Sequence, residues 1–146
     1  MALTPIQSFF ALFYILDYCF QWDQDDDLGA FLGMISPDIW TNGEPSDIAV
    51  YKDWVEYTQS KKIDTGSLPN GISDFLEIYM EQYGFNFYHI LQLLPEKISP
   101  REIQNAINKS HDLCENKGYL TADWVYPALA MIRISCHTYL YGRELH

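Results

Sequence analysis

The residues with the clearest chemical potential are four aspartates in one short stretch, Asp23 and Asp25 to Asp27. Carboxylate oxygens are the ligands that calcium and magnesium prefer, so this stretch could hold a hard cation. It lacks, however, the DxDxDG loop with a glutamate at its twelfth position that marks an EF-hand. Consecutive aspartates on a helix also point in different directions and converge poorly on one ion. The pattern therefore favours a solvated acidic face without metal or other cofactor, and a docking surface for a basic partner is compatible with it.

Histidines and cysteines offer a second set of metal ligands. His111 and Cys114 lie three residues apart, which suits one helix face, whereas the neighbours Cys136 and His137 would diverge by about 100° on a helix. No CxxC pair or other zinc-type spacing is present. The three cysteines, with Cys19 as the first, are therefore interpreted as buried free thiols in a reducing compartment.

Motifs for covalent or metal-assisted catalysis are missing from the sequence. It contains no GxSxG elbow, no glycine-rich phosphate loop and no HExxH pair. His89 lies between Tyr88 and Ile90 in a largely apolar segment, which is typical of a hydrogen-bonded core histidine. No catalytic residue is predicted, and the chain is predicted not to be an enzyme. A metal-dependent enzyme that combines the aspartates with His89 or His111 stays open as an alternative.

The charge of the chain is strongly negative and unevenly distributed. The net charge is -11, and residues 1–60 carry -9 of it, with Lys52 as their one base. Such a chain should be repelled by nucleic acid, whose affinity for proteins comes largely from lysine and arginine. Anionic membrane surfaces are disfavoured for the same reason. A basic protein partner, in contrast, would be attracted and steered towards the chain.

Length and the N-terminal sequence set the expected class and location. A chain of 146 residues is expected to form a single domain, covering residues 1–146. The N-terminus lacks the basic region and cleavage site of a signal peptide. The apolar run from Phe9 to Phe20 is shorter than the roughly 20 residues that span a bilayer, and Asp17 interrupts it. A cytoplasmic location is therefore expected.

Aromatic residues are abundant, with 11 Tyr, 8 Phe and 4 Trp, and most are expected in the core. Trp22 beside the aspartates and Trp40 in a loop are the candidates for exposed anchors, since aromatic side chains ringed by acids are common in interface hot spots. Partial burial against the chain's own loop is the alternative. The predicted partner-binding residues are Trp22, Asp23, Asp25, Asp26, Asp27, Asp38, Trp40, Glu44 and Asp47.

Helical periodicity positions these residues. Thr4 and Pro5 mark a helix start, and apolar residues then recur at helical spacing up to Phe20. A second helix is predicted at 26–34, capped by Asp23 or Asp25. Loops are predicted at 36–47 and 65–71, the first pinned to the core by Ile39 and Trp40. Further helices are predicted at 47–61, 74–84, 86–94, 100–118 and 121–142.

Several details of these helices are specific enough to check. The inward stripe of the fourth helix is predicted to comprise Phe75, Ile78, Tyr79, Gln82 and Tyr83. Pro95 is predicted to stop the fifth helix, and Pro127 either kinks the last helix or places its start near Tyr126. The predicted inward positions of the third and sixth helices are Ile48, Tyr51, Trp54, Val55, Ile103, Ala106, Ile107, Ser110 and Cys114.

No stretch alternates apolar and polar residues for long enough to predict a strand, so the predicted fold is all-α with about six helices. A shift of 59 residues aligns seven apolar positions of the first two helices with those of a later pair. Two related helical hairpins followed by a C-terminal helix pair would explain this alignment. Chance matching between any two amphipathic hairpins would explain it too.

Residues 15–54 resemble a pattern of small bacterial immunity proteins from polymorphic toxin systems. The matching elements are Asp26-Asp27-Leu28-Gly29, Leu32-Gly33-Met34-Ile35, Pro45-Ser46-Asp47 and Asp53-Trp54. This resemblance implies a cytoplasmic protein that neutralises a cognate toxin by occluding it, without catalysis. The leading hypothesis is therefore an immunity-like binding module for a basic partner. An oligomeric scaffold, in which the aromatic residues are buried between copies, stays open beside the metal-dependent enzyme.

Overall fold

The computed structural model describes residues 2–40 and 47–117, and these residues form an all-α structure around one hydrophobic core. They contain no β-strand, so the predicted fold class is confirmed. The predicted helix at 121–142, with Pro127, Cys136 and His137, lies outside the described residues, as does Glu44. The helices are α1 (Pro5–Cys19), α2 (Asp26–Ile35), a short 3-10 helix (Pro37–Ile39), α3 (Ile48–Ser60), α4 (Leu68–Tyr83), α5 (Tyr88–Lys97) and α6 (Pro100–Lys117).

The first helix, α1, lies at the centre of the described structure. It begins as predicted: the Thr4 hydroxyl accepts a hydrogen bond from the Gln7 amide at 3.2 Å, and Pro5 is the first helical residue. Ten of its fifteen residues are buried, and Asp17 is the one exposed position. A helix that is apolar on all sides must be enclosed by others. Accordingly, α1 contacts each of the other five described α-helices, and α6 most extensively.

One buried polar contact fixes α3 against α1. The Trp54 indole donates to the Ser8 hydroxyl at 2.9 Å, and that hydroxyl donates to the Pro5 carbonyl at 2.9 Å. Both side chains are inaccessible to solvent. Since an unpaired indole N–H in the core would be costly, this contact favours one orientation of the two helices. Burial confirms three of the four predicted inward residues of α3, Trp54 among them, but Ile48 is only half-buried.

The start of α4 differs from the prediction, which placed a loop at 65–71. The helix begins at Leu68, because Pro69 lies in its first turn, where no backbone donor is lost. Gly71 belongs to this turn and allows close packing: a Cβ atom there would lie 2.9 Å from Cδ1 of Ile63. The end at Gly84 is confirmed, with a φ angle of +75° in the left-handed region that glycine favours.

The predicted inner face of α4 is wrong at its C-terminal end. Gln82 and Tyr83 are exposed, and Ile78 is half-buried. Tyr79 is the last buried residue of α4 and Met80 still packs against the core, whereas residues 81–83 are exposed, so the helical period alone predicted an inner face that is too long. The residues of α4 that are buried are Leu68, Gly71, Ile72, Phe75, Leu76 and Tyr79.

The fifth and sixth helices also test local sequence signals. Pro95 does not stop α5 but lies within its last turn, and Ile98 N still donates to the Leu94 carbonyl at 3.0 Å. The prediction was wrong because a proline this close to the end removes little of the helical hydrogen bonding. At the start of α6, the Ser99 hydroxyl donates to the Glu102 carboxylate. All five predicted inward residues of α6 are buried.

The 59-residue shift aligns positions in α1 and α2 with positions in α4 and α5. In five of the seven aligned pairs, both residues are buried. In each of the other two pairs one residue is half-buried: Phe20, which aligns with Tyr79, and Leu91, which aligns with Leu32. Burial at matching positions is expected both of related hairpins and of unrelated amphipathic ones. The repeat therefore stays a prediction, and the predicted C-terminal helix pair lies partly outside the described residues.

Replacement of Ser8 by alanine tests the polar contact between α1 and α3. The buried Trp54 donor would lose its acceptor, so we expect the free energy of unfolding to fall by about 1–3 kcal/mol in urea denaturation. Ser110→Ala is a matched control, because Ser110 is equally buried but bonds only to the carbonyl of Ile107 in its own helix. Equal losses in the two variants would show that the indole contact contributes no specific stability.

Candidate functional site

The four aspartates lie in and beside the connection from α1 to α2, here called the acidic turn (residues 23–27). Asp25 occupies the N-cap position of α2, although its side chain makes no capping hydrogen bond. Asp26 and Asp27 form the first turn of the helix. Carboxylates at these positions interact favourably with the positive end of the helix dipole. The acidic run thus has a structural reason in the fold that is independent of any partner.

Asp27 joins the acidic turn to a second part of the chain. Its Oδ2 atom accepts a hydrogen bond from the backbone N–H of Asn86 at 2.6 Å. Asn86 lies in the connection between α4 and α5, and its own side chain accepts from the Tyr88 N–H at 3.3 Å. The carboxylate of Asp27 therefore holds the start of α2 against the start of α5.

Asp23 makes a second contact of this kind, with a residue of α5 itself. Its Oδ2 atom lies 3.1 Å from Nδ1 of His89, and its side chain is only 13% exposed. The histidine side chain is 59% exposed, so the prediction that His89 belongs to the core was wrong. The buried stripe of α5 runs through Ile90, Leu93 and Leu94, which places His89 on the outer side. Within the acidic turn, Asp23 and Asp27 thus face α5.

The described residues do not assemble a cation site at the acidic turn. The one group of three potential ligands within 4.8 Å of one another, in the part of the chain that the structure describes, is His111, Asp112 and Glu115. All three are exposed on α6. Cys114 is fully buried while His111 faces solvent, so these two occupy different environments. The acidic turn contributes surface charge and contacts between helices.

The two tryptophans of the predicted site differ. Trp22 is 42% exposed, which agrees with its expected exposure while its role as an anchor stays a prediction, and Nζ of Lys97 lies 5.4 Å from the centroid of its ring. Trp40 is half-buried, with its ring 4.9 Å from that of Phe10 and 5.5 Å from that of Tyr51. Trp40 therefore pins the segment after α2 to the core, as one reading of the sequence predicted.

Asp38 and Asp47 are the remaining predicted acids within the described residues. Asp38 is exposed, and its amide donates to the Ser36 hydroxyl at 3.2 Å. Burial raises the pKa of Tyr14, and the charge of Asp38 adds to this effect, which places Asp38 near α1. Asp47 caps α3 by accepting from Val50 N at 3.1 Å. Asp38 and Asp47 thus each have a local role in the segments that precede and begin α3.

A groove between α4 and α5 is the feature that sequence reasoning missed. It has a volume of about 620 Å³. Asn86 also lines it, so the groove adjoins the acidic turn through the bond to Asp27. Tyr88 at its edge is 71% exposed, more than any other large hydrophobic residue described. The walls of this α4–α5 groove include Glu77, Met80, Glu81, Phe85, Tyr88 and Leu91.

The sequence held one signal for the groove. Tyr83 directly precedes Gly84 and was predicted to face inward because of its helical spacing, whereas Tyr88 follows Gly84 and belongs to the aromatic residues that were mostly expected in the core. Since Gly84 ends α4, neither tyrosine continues the buried stripe of a helix, and both are exposed. The signal is limited, because Phe85 and Phe87 also follow Gly84 and are half-buried and fully buried.

A second cavity of about 350 Å³ lies between α1 and α6. Several of its polar groups have partners within the chain. The Tyr18 hydroxyl donates to Glu102 at 3.5 Å, and Nζ of Lys109 lies 5.7 Å from the centroid of the Tyr14 ring. Acidic and basic side chains both line this cavity, so it has no clear charge preference.

Two of the three predicted free thiols can be checked. Cys19 and Cys114 are fully buried and form no disulfide, which confirms the prediction for this pair. Burial raises the pKa of each thiol to about 12. Neither side chain is therefore a thiolate nucleophile near neutral pH.

Comparison with protein-family models, curated proteins and solved structures finds no match to this chain. Among the described residues, no helix combines the length and the apolar content that crossing a membrane requires.

Replacement of Asp27 by asparagine tests its contact with Asn86. We expect the free energy of unfolding to fall by about 0.5–1.5 kcal/mol, because the hydrogen bond from Asn86 would lose its charged acceptor and keep only a neutral amide oxygen. Asp26→Asn is the matched control, because Asp26 shares the first turn of α2 but has no such bond. Urea denaturation at low salt measures both, and a loss no greater than in the control would contradict a role in joining the helices.

Thiol labelling tests the burial of Cys19 and Cys114. In a Cys136→Ser variant at pH 8, we expect neither thiol to react rapidly with Ellman's reagent, because the reactive thiolate is disfavoured by burial. The same variant in guanidinium chloride should release two equivalents. Fast reaction of either thiol in the folded protein would show that its helix opens readily to solvent.

Proposed function

We propose that this chain is a non-catalytic binding protein that associates with a basic protein partner and neutralises it by occlusion, as immunity proteins neutralise toxins. The observation that carries the proposal is a set of exposed carboxylates on adjoining elements. Asp26 is exposed at the start of α2, and Glu77 and Glu81 are exposed on α4. The rings of Phe31 in α2 and Tyr79 in α4 are 5.5 Å apart, and the bond between Asp27 and Asn86 joins the start of α2 to the connection that follows α4.

The charge distribution supports the choice of partner. The net charge is -11, and -9 of it belongs to residues 1–60, which include the acidic turn. Fields of one sign raise association rates with oppositely charged proteins by about 10–10³-fold, most strongly at low salt. Because Asp25 and Asp26 are not seen to pair with any described base, their charge is available to attract a partner.

The resemblance of residues 15–54 to immunity proteins supports the neutralising role. This segment covers the end of α1, the acidic turn, α2 and the first half of α3. A cytoplasmic location forms part of the proposal, and the two unpaired buried thiols fit a reducing compartment. Binding by occlusion requires a fixed surface more than a reactive group, and the contacts of Asp23 and Asp27 with α5 provide such a surface.

Charge neutralisation of the acidic turn tests this proposal. The product of the adjacent reading frame is the partner to use, with suppression of its toxicity as the first readout and stopped-flow association as the second. We expect Asp25→Asn with Asp26→Asn to slow association roughly tenfold at low salt and less at high salt, because steering is screened.

The matched control is Asp112→Asn with Glu115→Gln, which removes equal charge from exposed positions on α6. We expect this control to change the association rate less than the acidic-turn variant does. Equal effects in the two variants would argue against a specific role for the acidic turn. Failure of the chain to bind the partner or suppress its toxicity would contradict the neutralising role.

A further inference from the structure

We propose that the α4–α5 groove receives a lysine or arginine side chain of the basic partner, with Tyr88 as the aromatic anchor; this inference rests on the proposed function. The groove combines an exposed aromatic ring, half-buried apolar side chains and two carboxylates. Tyr88 is 71% exposed, while Met80 and Leu91 beside it are half-buried. Apolar area that the chain leaves uncovered next to polar groups is typical of binding surfaces.

The backbone that carries Tyr88 is held in place on both sides. The rings of Phe85 and Phe87 stack with centroids 5.1 Å apart, and Phe87 is fully buried against Phe31. Between them, the Asn86 amide donates to Asp27 and its side chain accepts from the Tyr88 N–H. Binding therefore requires little ordering of this connection, which favours affinity.

The negative charge of the groove favours a cationic occupant. Glu77 and Glu81 lie four residues apart on α4, both are exposed, and no basic side chain is among the residues that line the groove. Like charges at this spacing destabilise a helix slightly, and a bound cation would relieve their repulsion. No ion pair to either glutamate is seen within the described residues.

A lysine or arginine side chain matches both parts of the groove. Its alkyl stem can cover Met80 and Leu91, as such stems commonly lie along apolar surface. Its charged group can then pair with Glu77 or Glu81 and lie over the Tyr88 ring, where cations are attracted to the face of an aromatic ring. A second copy of this chain is a poorer occupant, because each copy carries a net charge of -11.

Nuclear magnetic resonance on the isotope-labelled full chain tests the groove without any partner. The probe is N-acetyl-arginine amide, and N-acetyl-norleucine amide is its uncharged counterpart. We expect signals of Tyr88, Met80 and Leu91 to shift with the arginine probe, saturating in the millimolar range expected of so small a ligand. The norleucine probe should cause no saturable shift. Absence of shifts at these residues, or equal shifts with both probes, would overturn the inference.

Variants separate a specific groove from general attraction. Tyr88→Ala and Glu77→Gln with Glu81→Gln should each weaken arginine binding at least fivefold, while Asp112→Asn with Glu115→Gln should leave it unchanged. Tyr88 is so exposed that its replacement should preserve the fold, and unchanged amide signals of α1 would verify this. Equal weakening by the α6 control would overturn the inference. Shifts of Tyr88 with protein concentration alone would also overturn it, in favour of self-association.

The same variants distinguish this inference from the proposed function. If Tyr88→Ala leaves the affinity for the adjacent-gene partner unchanged while the acidic-turn variant still slows association, the groove inference fails and the proposed function stands. If the wild-type chain does not bind the partner at all but the arginine probe binds in the groove, the proposed partner is wrong while the cation site remains.

Discussion

Burial of α1 on all sides is the constraint on which the rest of the described structure depends. Ten of its fifteen residues are buried, and each large apolar side chain buried this way contributes roughly 1.5–3 kcal/mol relative to exposure. No single neighbour can cover such a helix, so five described helices contact it. Apolar burial alone does not fix how the helices are oriented. The hydrogen bond from the Trp54 indole to Ser8 favours one orientation of α3 relative to α1.

The position of the acidic turn follows from this enclosure. Cys19 before it and Leu28 after it are both fully buried, so the intervening residues are held close to the surface of the core. Asp23 contacts His89 of α5 and Asp27 contacts Asn86 just before α5, whereas Asp26 remains exposed. Part of this run of charge thus joins elements of the fold, and part of it remains exposed to solvent.

Local rules accounted for much of the fold. The start of α1 at Pro5 and the inward stripe of α6 were predictable because caps and helical period depend on neighbouring residues. The start of α4 was missed because Pro69 and Gly71 were interpreted as loop residues, although Pro69 lies in the first helical turn and Gly71 packs closely against Ile63. The groove was missed because residue type places a tyrosine such as Tyr88 equally well in a core or at a surface. The α5 partners of the aspartates likewise depend on tertiary structure.

Native-state hydrogen exchange measures the central role of α1 most directly. If α1 is enclosed by the other helices, its amides from Phe9 to Leu16 can exchange only when the whole domain unfolds. Their exchange free energy should therefore equal the global free energy of unfolding measured with denaturant, and no other helix should exceed it. Exchange of these amides at a clearly lower free energy than those of α4 or α6 would contradict the account.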